Sequence, residues 1–474
     1  MTLSRREFLQ RSAAGAALIG MGALPADAGA APLPSAQLSA LRAAVRGRVL
    51  IPGNSGYNGA RVVFNKRFDG VRPPAVVQVR DTADVQAVVK WANRFDVPLV
   101  ARSGGHAYNG ASTSNTAVVV DLGGLDSIRL SGSTATIGPG ARNIDVYAKL
   151  AASGAALPSG SCPTVGFGGL VLGGGMGLAG RSLGLTLDRV TSFQAGTADG
   201  SAGRVDDGDE ALFWALRGGG GNFAIVTAVR LQVSRIRQAA WFFASWPAGA
   251  RAEVLGAWDD LAPGAPSALT SICTLTSSGV TAFGQYLGSE SALRRLVAPL
   301  ARVPGGRFNA GTSSWLALQR RWAGCADGGL AACRREDRST FDAASVYVSK
   351  PLTGKARAAF VKAAGTGASL VCDSYGGAVN RVAADATAFV HRDARFSVQV
   401  LSYAPIGTAK SRVARARAMI APYGDGEAYQ NYPDLALSDP LQAWYGANLP
   451  RLRSIKGTYD PDGRFAFAQD IPAA

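Results

Sequence analysis

The chain has two histidines, and one of them, His106, closes the run Arg102-Ser103-Gly104-Gly105-His106. Fifty-six positions later stands Cys162, within Gly160-Ser161-Cys162-Pro163-Thr164-Val165-Gly166. An imidazole and a thiol, each on a glycine-rich loop, can both bond covalently to one prosthetic group. Successive glycines permit positive φ and let backbone N–H groups converge on phosphate oxygens without interference from Cβ. Taken singly, each residue has a plainer reading: a satisfied structural histidine, and a small buried hydrophobe for the cysteine. Their shared setting is what points to chemistry. The run Gly173-Gly174-Gly175-Met176-Gly177 lacks the G-x-G-x-x-G spacing of a βαβ unit, which argues against a nicotinamide dinucleotide site. Five scattered cysteines and two histidines do not make a metal site.

Such loops need elements to hold them, and from Pro74 strands and helices alternate. Residues 76–79 read as a strand. Asp81-Thr82 then offers an N-cap to a helix whose apolar positions, Val85, Val88, Val89 and Ala92, recur at helical spacing. A short strand over 99–101 leads directly into the His106 loop, and another covers 117–121. A helix over 143–153 stops at Gly154. After about Arg235 the pattern changes. Strand-like runs at 240–245, 271–275, 282–287, 345–348 and 396–401 are separated by amphipathic, arginine-bearing helices. That suits an antiparallel sheet covered by helices on one face. The stretch 429–471, rich in aromatic and turn residues, looks like a return to the first half. The expected class is α+β, with units at 36–235, 236–425 and 426–474.

The amino terminus reads Ser4-Arg5-Arg6-Glu7-Phe8-Leu9, then an uncharged stretch over 13–24, then Ala26-Asp27-Ala28. This is the pattern of a signal peptide, placed at 1–30. Twin arginines before Phe-Leu mark the twin-arginine route, so the expected partner is that export machinery and the expected location periplasmic or secreted. The apolar stretch is shorter than the roughly 18–20 residues a spanning helix needs, and stable membrane insertion is not expected. The formal charge of +16 comes from mostly scattered arginines without a basic arm or nucleic-acid module, so no nucleic-acid partner is expected. In an exported chain, five cysteines leave one over. Cys162 is the natural odd one. Cys325 and Cys333 are close enough to close a short loop, and Cys273 and Cys372 sit in apolar runs that favour core positions.

The 102–106 run, Cys162-Pro163-Thr164-Val165-Gly166, and Gly168-Gly169 with Gly173-Gly174-Gly175 closely resemble the berberine bridge enzyme-like family of FAD-linked oxidases. Gly184-Leu185 with Leu187-Asp188, and the run from Phe213-Trp214 to Asn222-Phe223, extend the resemblance over nearly the whole mature chain. It implies a two-part FAD-binding domain of the p-cresol methylhydroxylase type and a substrate domain built on the antiparallel sheet. FAD would be bonded twice, by His106 at its 8α position and by Cys162 at its C6. Arg102, Ser103, Gly104, Gly105, Val165, Gly166, Gly168, Gly169, Gly174, Gly175, Ile225, Val226 and Asn431 would complete the cofactor site.

Tyr429-Gln430-Asn431-Tyr432 resembles the family's Tyr-x-Asn-Tyr motif, whose second tyrosine is the base in sugar-oxidising relatives; here that is Tyr432. A free tyrosine has a pKa near 10 and needs assistance. The assisting carboxylate falls on Asp373, just before Gly376-Gly377. Gln399 and Tyr429 would contact the small-molecule substrate. Val165, three positions after the cysteine, resembles the oxidases more than the dehydrogenases, so molecular oxygen is the expected acceptor and hydrogen peroxide the by-product. His391, in a Phe-x-His-Arg segment that the family shares, reads as structural. The implied reaction is hydride transfer from an alcohol carbon to flavin N5, with an oligosaccharide oxidised to a lactone as the leading substrate. A secondary-metabolite alcohol or alkaloid, or a dehydrogenase with another acceptor, are the alternatives, because a fold does not choose its substrate.

Overall fold

The computed structural model describes residues 32–474, so the expected signal peptide lies outside the described residues. The first sheet has four strands in the order Arg48–Leu50, Val76–Gln78, Val118–Asp121, Leu99–Arg102, parallel except for the first. The helix Thr82–Phe95 connects the second of these to the last in the chain. Asp81 caps it, accepting from the Asp84 N–H at 3.1 Å, and Asp96 ends it in the left-handed region at φ 51°. Val85, Val88, Val89 and Ala92 are fully buried, the apolar stripe that a helix lying on a sheet requires. Strand Leu99–Arg102 delivers the chain straight into the His106 loop.

A five-stranded antiparallel sheet follows, ordered Ile128–Ser131, Thr134–Ile137, Ala224–Gln232, Val190–Thr197, Ala202–Val205. All five of its strands lie outside the expected ones, and its outer hairpin turns at Gly132 with φ 59°. The helix Asn143–Ala151 is slightly shorter than expected, with Gly154 at φ 68° just beyond.

The second half is a seven-stranded antiparallel sheet. Its order is Arg307–Ser314, Gln238–Pro247, Gly279–Tyr286, Leu269–Leu275, Ser369–Ser374, Phe396–Ser402, Asp342–Val348. Helices Arg251–Leu261, Gly354–Ala364 and Ile406–Ile420 bring Trp258, Phe360 and Val413 into one core with Cys372, Phe396 and Val398. Alternation along the strand then sends Asp373, the neighbour of Cys372, to the opposite face. This is the α+β architecture expected. Cys273 lies directly across from Cys372, both buried free thiols, while Cys325 and Cys333 form a disulfide.

The last stretch packs on the first half. Leu99 donates to the Arg464 carbonyl at 2.8 Å and accepts from Ala466 at 3.2 Å, and Lys456 of helix Leu449–Tyr459 reaches the Asn222 carbonyl at 2.8 Å. Among the described residues no helix is long and apolar enough to cross a membrane.

Candidate active site

The two chemistry-bearing loops meet because glycine lets their backbones touch. A Cβ on Gly104 would collide with the Gly166 backbone, and one on Gly166 with Gly104 and the Ser103 hydroxyl. The N-terminal turn of Asn143–Ala151 holds the second loop from behind. There the Asn143 N–H donates to the Val165 carbonyl and the Ile144 N–H to the Pro163 carbonyl, both at 3.0 Å, and Asn143 Nδ2 donates to the Cys162 carbonyl at 3.2 Å. His106 lies on Phe64, ring centroids 4.1 Å apart and nearly parallel, with Nε2 3.2 Å from the Thr164 hydroxyl. Burial, and then the Arg142 guanidinium, push its pKa down to about 3, with a bond to Thr164 opposing, so the ring is neutral. Cys162 is an exposed free thiol.

A cavity of about 310 Å³ opens at these loops. Ser103, Gly104, Gly105, His106, Cys162, Val165, Gly166, Gly168, Gly169, Gly175, Ile225 and Val226 line it from the first half of the chain. Asp373 and Gln399 enter from the seven-stranded sheet, and Tyr429, Asn431 and Tyr432 from the last segment. Two expected cofactor residues stand back from it. The Arg102 guanidinium turns to Asp121 at 3.0 Å and to the Ala60 carbonyl. Gly174, at φ 139°, is pressed between Tyr429 and Phe389.

The Tyr429 hydroxyl accepts from the Gly175 N–H at 3.0 Å and from Asn431 Nδ2 at 3.1 Å. Burial raises its pKa to about 12, with those donors opposing. Asn431 also donates to the Leu170 carbonyl at 3.0 Å, and a Cβ on Gly173 would run into it. The two side chains therefore pin the 173–175 turn, which gives those glycines a reason within the protein itself.

Tyr432 stands between two other tyrosines. Tyr108 stacks on it at 5.6 Å and 9°, and Tyr429 meets it edge-on at 4.9 Å. Asp373 pairs with Ser397 and Val371 with Gln399, so Asp373 and Gln399 are diagonal neighbours on one face of adjacent strands. Gln399 Nε2 donates to the Tyr108 hydroxyl at 2.7 Å. Sequence reasoning missed Tyr108, although its place two residues after His106 was an available signal. Below lies a fully buried layer in which the Tyr347 and Tyr375 hydroxyls share a bond at 2.9 Å, burial holding both well above the usual phenol pKa. His391 packs there, stacked on Tyr347 at 4.2 Å with Nδ1 on Glu427.

What the cavity can hold follows from its walls. A Cβ on Gly169 or Gly221 would meet no protein atom within 4 Å, although both residues line it. Gln430 Oε1 and Trp444 Nε1, on two other lining residues, are buried without a protein partner. Flat open walls between two glycine-rich loops leave room for a flavin nucleotide beside the neutral imidazole and the free thiol. Among the described residues no group of His, Cys, Asp and Glu side chains is placed to hold a metal ion.

Comparison with known proteins agrees. Residues 73–206 match the FAD binding domain family, and residues 428–472 match the family described as berberine and berberine like. YgaK of Bacillus subtilis, an uncharacterized FAD-linked oxidoreductase, is 31% identical over 445 residues, covering 90% of this chain and 97% of its own. BBE-like 1 of Physcomitrella patens has a TM-score of 0.88 at 29% identity, over 92% of this chain and 99% of that one. A glucooligosaccharide oxidase of Acremonium strictum, whose crystal structure is said to reveal a novel flavinylation, scores 0.83 at 25% identity over 92% and 98%. The chain belongs to the berberine bridge enzyme-like family, and it is an FAD-dependent oxidase.

Proposed function

We propose that this oxidase is exported and oxidises a carbohydrate, an oligosaccharide to its lactone, releasing hydrogen peroxide, with FAD bonded at both His106 and Cys162. In this reading residues 36–235 and 426–474 form the FAD-binding part, 236–425 bind substrate, and 1–30 direct export by the twin-arginine route. The observation that carries the reading is the convergence of Tyr432, Asp373 and Gln399 on a single cavity whose wall also presents His106 and Cys162. The likeness to a glucooligosaccharide oxidase supports the substrate class.

Tyr432 takes the substrate's hydroxyl proton, and the Asp373 carboxylate on the adjoining sheet assists by drawing off the phenol proton. Stacking by Tyr108 and the edge of Tyr429 hold the Tyr432 ring in one plane. Gln399, fixed through its amide N–H to Tyr108, orients the hydroxyl with its amide oxygen. The chemistry the flavin supplies when bound is acceptance of hydride at N5 and return of two electrons to oxygen. Val165, on the cavity wall, leaves oxygen a way in.

The test is a peroxide screen across mono- and oligosaccharides, with secondary alcohols and alkaloids alongside. Peroxide formed with an oligosaccharide, matched by the lactone, supports the proposal; peroxide formed only with a non-sugar alcohol overturns the substrate class. Flavin colour that acid fully releases from the precipitated protein overturns the covalent attachment.

A further inference from the structure

A segment of the substrate half reaches across to the His106 loop. Beyond the disulfide Cys325–Cys333 and the short helix Gly329–Arg334, the chain lies along the first half of the molecule. Arg334 Nε donates to Asp145 at 2.7 Å, and the Arg334 carbonyl accepts from Arg142 Nη1 at 2.9 Å. Arg338 Nε donates to the Val63 carbonyl at 2.7 Å, and the Lys66 N–H to the Ser339 carbonyl at 3.0 Å. Between these ties stands Glu336. One of its oxygens accepts from Arg142 Nη2 at 3.0 Å, and the other lies 3.9 Å from His106 Nε2.

We infer that Glu336 sets the tautomer of His106 and so controls whether that residue becomes an attachment point for the flavin. The inference rests on the two-point attachment proposed above. A neutral imidazole carries one N–H, and the hydrogen bond or charge at one nitrogen decides where it sits. An ionised carboxylate only accepts. At 3.9 Å it acts by its charge, against that of the Arg142 guanidinium it also holds, favouring the proton on Nε2, where the Thr164 oxygen at 3.2 Å also receives it. Nδ1 then keeps its lone pair as the bonding nitrogen, and Phe64 fixes the ring plane. Arg142 is the N-cap residue of the helix that also grips the Cys162 loop, so one helical turn holds both anchors in place.

Bonding balances as follows. A C–N bond forms between Nδ1 and the flavin's methyl carbon, one methyl C–H breaks, and the Nε2 proton leaves toward Glu336. The two electrons released pass, with two protons, to oxygen, the oxidant of the oxidase reaction, giving one hydrogen peroxide.

Glu336→Gln tests this on the full chain. Arg142 would claim the amide oxygen, turning the amide N–H₂ toward His106 and favouring the proton on Nδ1. Trypsin cuts after Arg102, Arg129, Lys149 and Arg181, so doubly attached flavin yields a cross-link between peptides 103–129 and 150–181. The variant should show at least tenfold less of that cross-link, with flavin retained on 150–181 alone and 103–129 unmodified. Attachment at Cys162 is the internal control, since general disorder would lower both adducts. Cross-link at the wild-type level in Glu336→Gln overturns the inference. Wild-type protein without any cross-link overturns the two-point attachment and the inference together. If Glu336→Gln loses both adducts, Glu336→Asp decides: a recovered cross-link supports the tautomer role, and none overturns it.

Discussion

Removing the Tyr432 hydroxyl while leaving its ring isolates the proton step. In Tyr432→Phe the ring keeps its stack on Tyr108 and its edge contact with Tyr429, so the packing that positions it is conserved. Only the phenol oxygen is lost. A positioned general base is worth about 10²–10⁴ in rate, or about 2.7–5.4 kcal/mol of barrier. The expected result is a fall in kcat of that size with KM little changed, because Gln399 still orients the substrate hydroxyl. Flavin content should equal wild type, since His106 and Cys162 are untouched. Anaerobic stopped-flow bleaching of the flavin by substrate reads the step directly, and reoxidation of chemically reduced enzyme by oxygen should be unchanged. A reduction rate within about threefold of wild type would refute the base assignment, being far below the effect of removing a general base. A variant that loses its flavin would show that Tyr432 is structural.

Gly166→Ala would force a methyl into the Gly104 backbone and the Ser103 hydroxyl. Overpacking of about 1–3 kcal/mol and a lowered flavin-to-protein ratio are expected, read by thermal melts and absorbance. Val165→Leu should slow reoxidation of the flavin in air while leaving its reduction by substrate unchanged; equal oxygen rates in the two proteins would remove Val165 from the oxygen path. In flavin-free protein His106 has a folded pKa of about 3 against about 6.5 unfolded, so between those values the unfolded chain binds more protons. Stability should therefore be complete above about pH 6.5 and fall toward pH 3, at up to about 1.4 kcal/mol per unit, and urea melts of His106→Asn should show a shallower slope.

The two glycine-rich loops around His106 and Cys162 were legible because their backbones meet. Their glycines must pass backbone against backbone, as at Gly104 and Gly166, and that demand leaves a mark in the sequence that packing elsewhere does not. The helix Thr82–Phe95 was legible because burial of one face enforces a helical period, whereas the strands of the five-stranded sheet were not read at all. Edge strand Arg307–Ser314 was not legible either, because it is partly exposed along its whole length and its alternation, Phe308 and Ala310 between polar residues, stops at Gly311 and gives way to Thr312-Ser313-Ser314. The hairpin Ile128–Ser131 with Thr134–Ile137 did carry an alternating signal, in Ile128 and Leu130, too short to stand out alone.

The parts of the site that escaped the sequence are those made by contact between distant segments. Tyr108 acquires its place only when Gln399 and Tyr432 arrive from residues near 400 and 430. Glu336 sits among arginines and aspartates that look like a solvated surface run, and nothing local distinguishes it from Asp337. What sets it apart is the arginine at position 142, which offers one guanidinium nitrogen to its carboxylate and another to the carbonyl of Arg334. A charge becomes part of a site when a fixed partner aims it. For this chain that partner is a helix cap nearly two hundred residues earlier, one that also carries the cysteine loop. The second half of the chain therefore does more than form the far wall of the cavity: by docking on that cap it brings a carboxylate to 3.9 Å from the histidine, so the proposed attachment at His106 would depend on both halves having folded together.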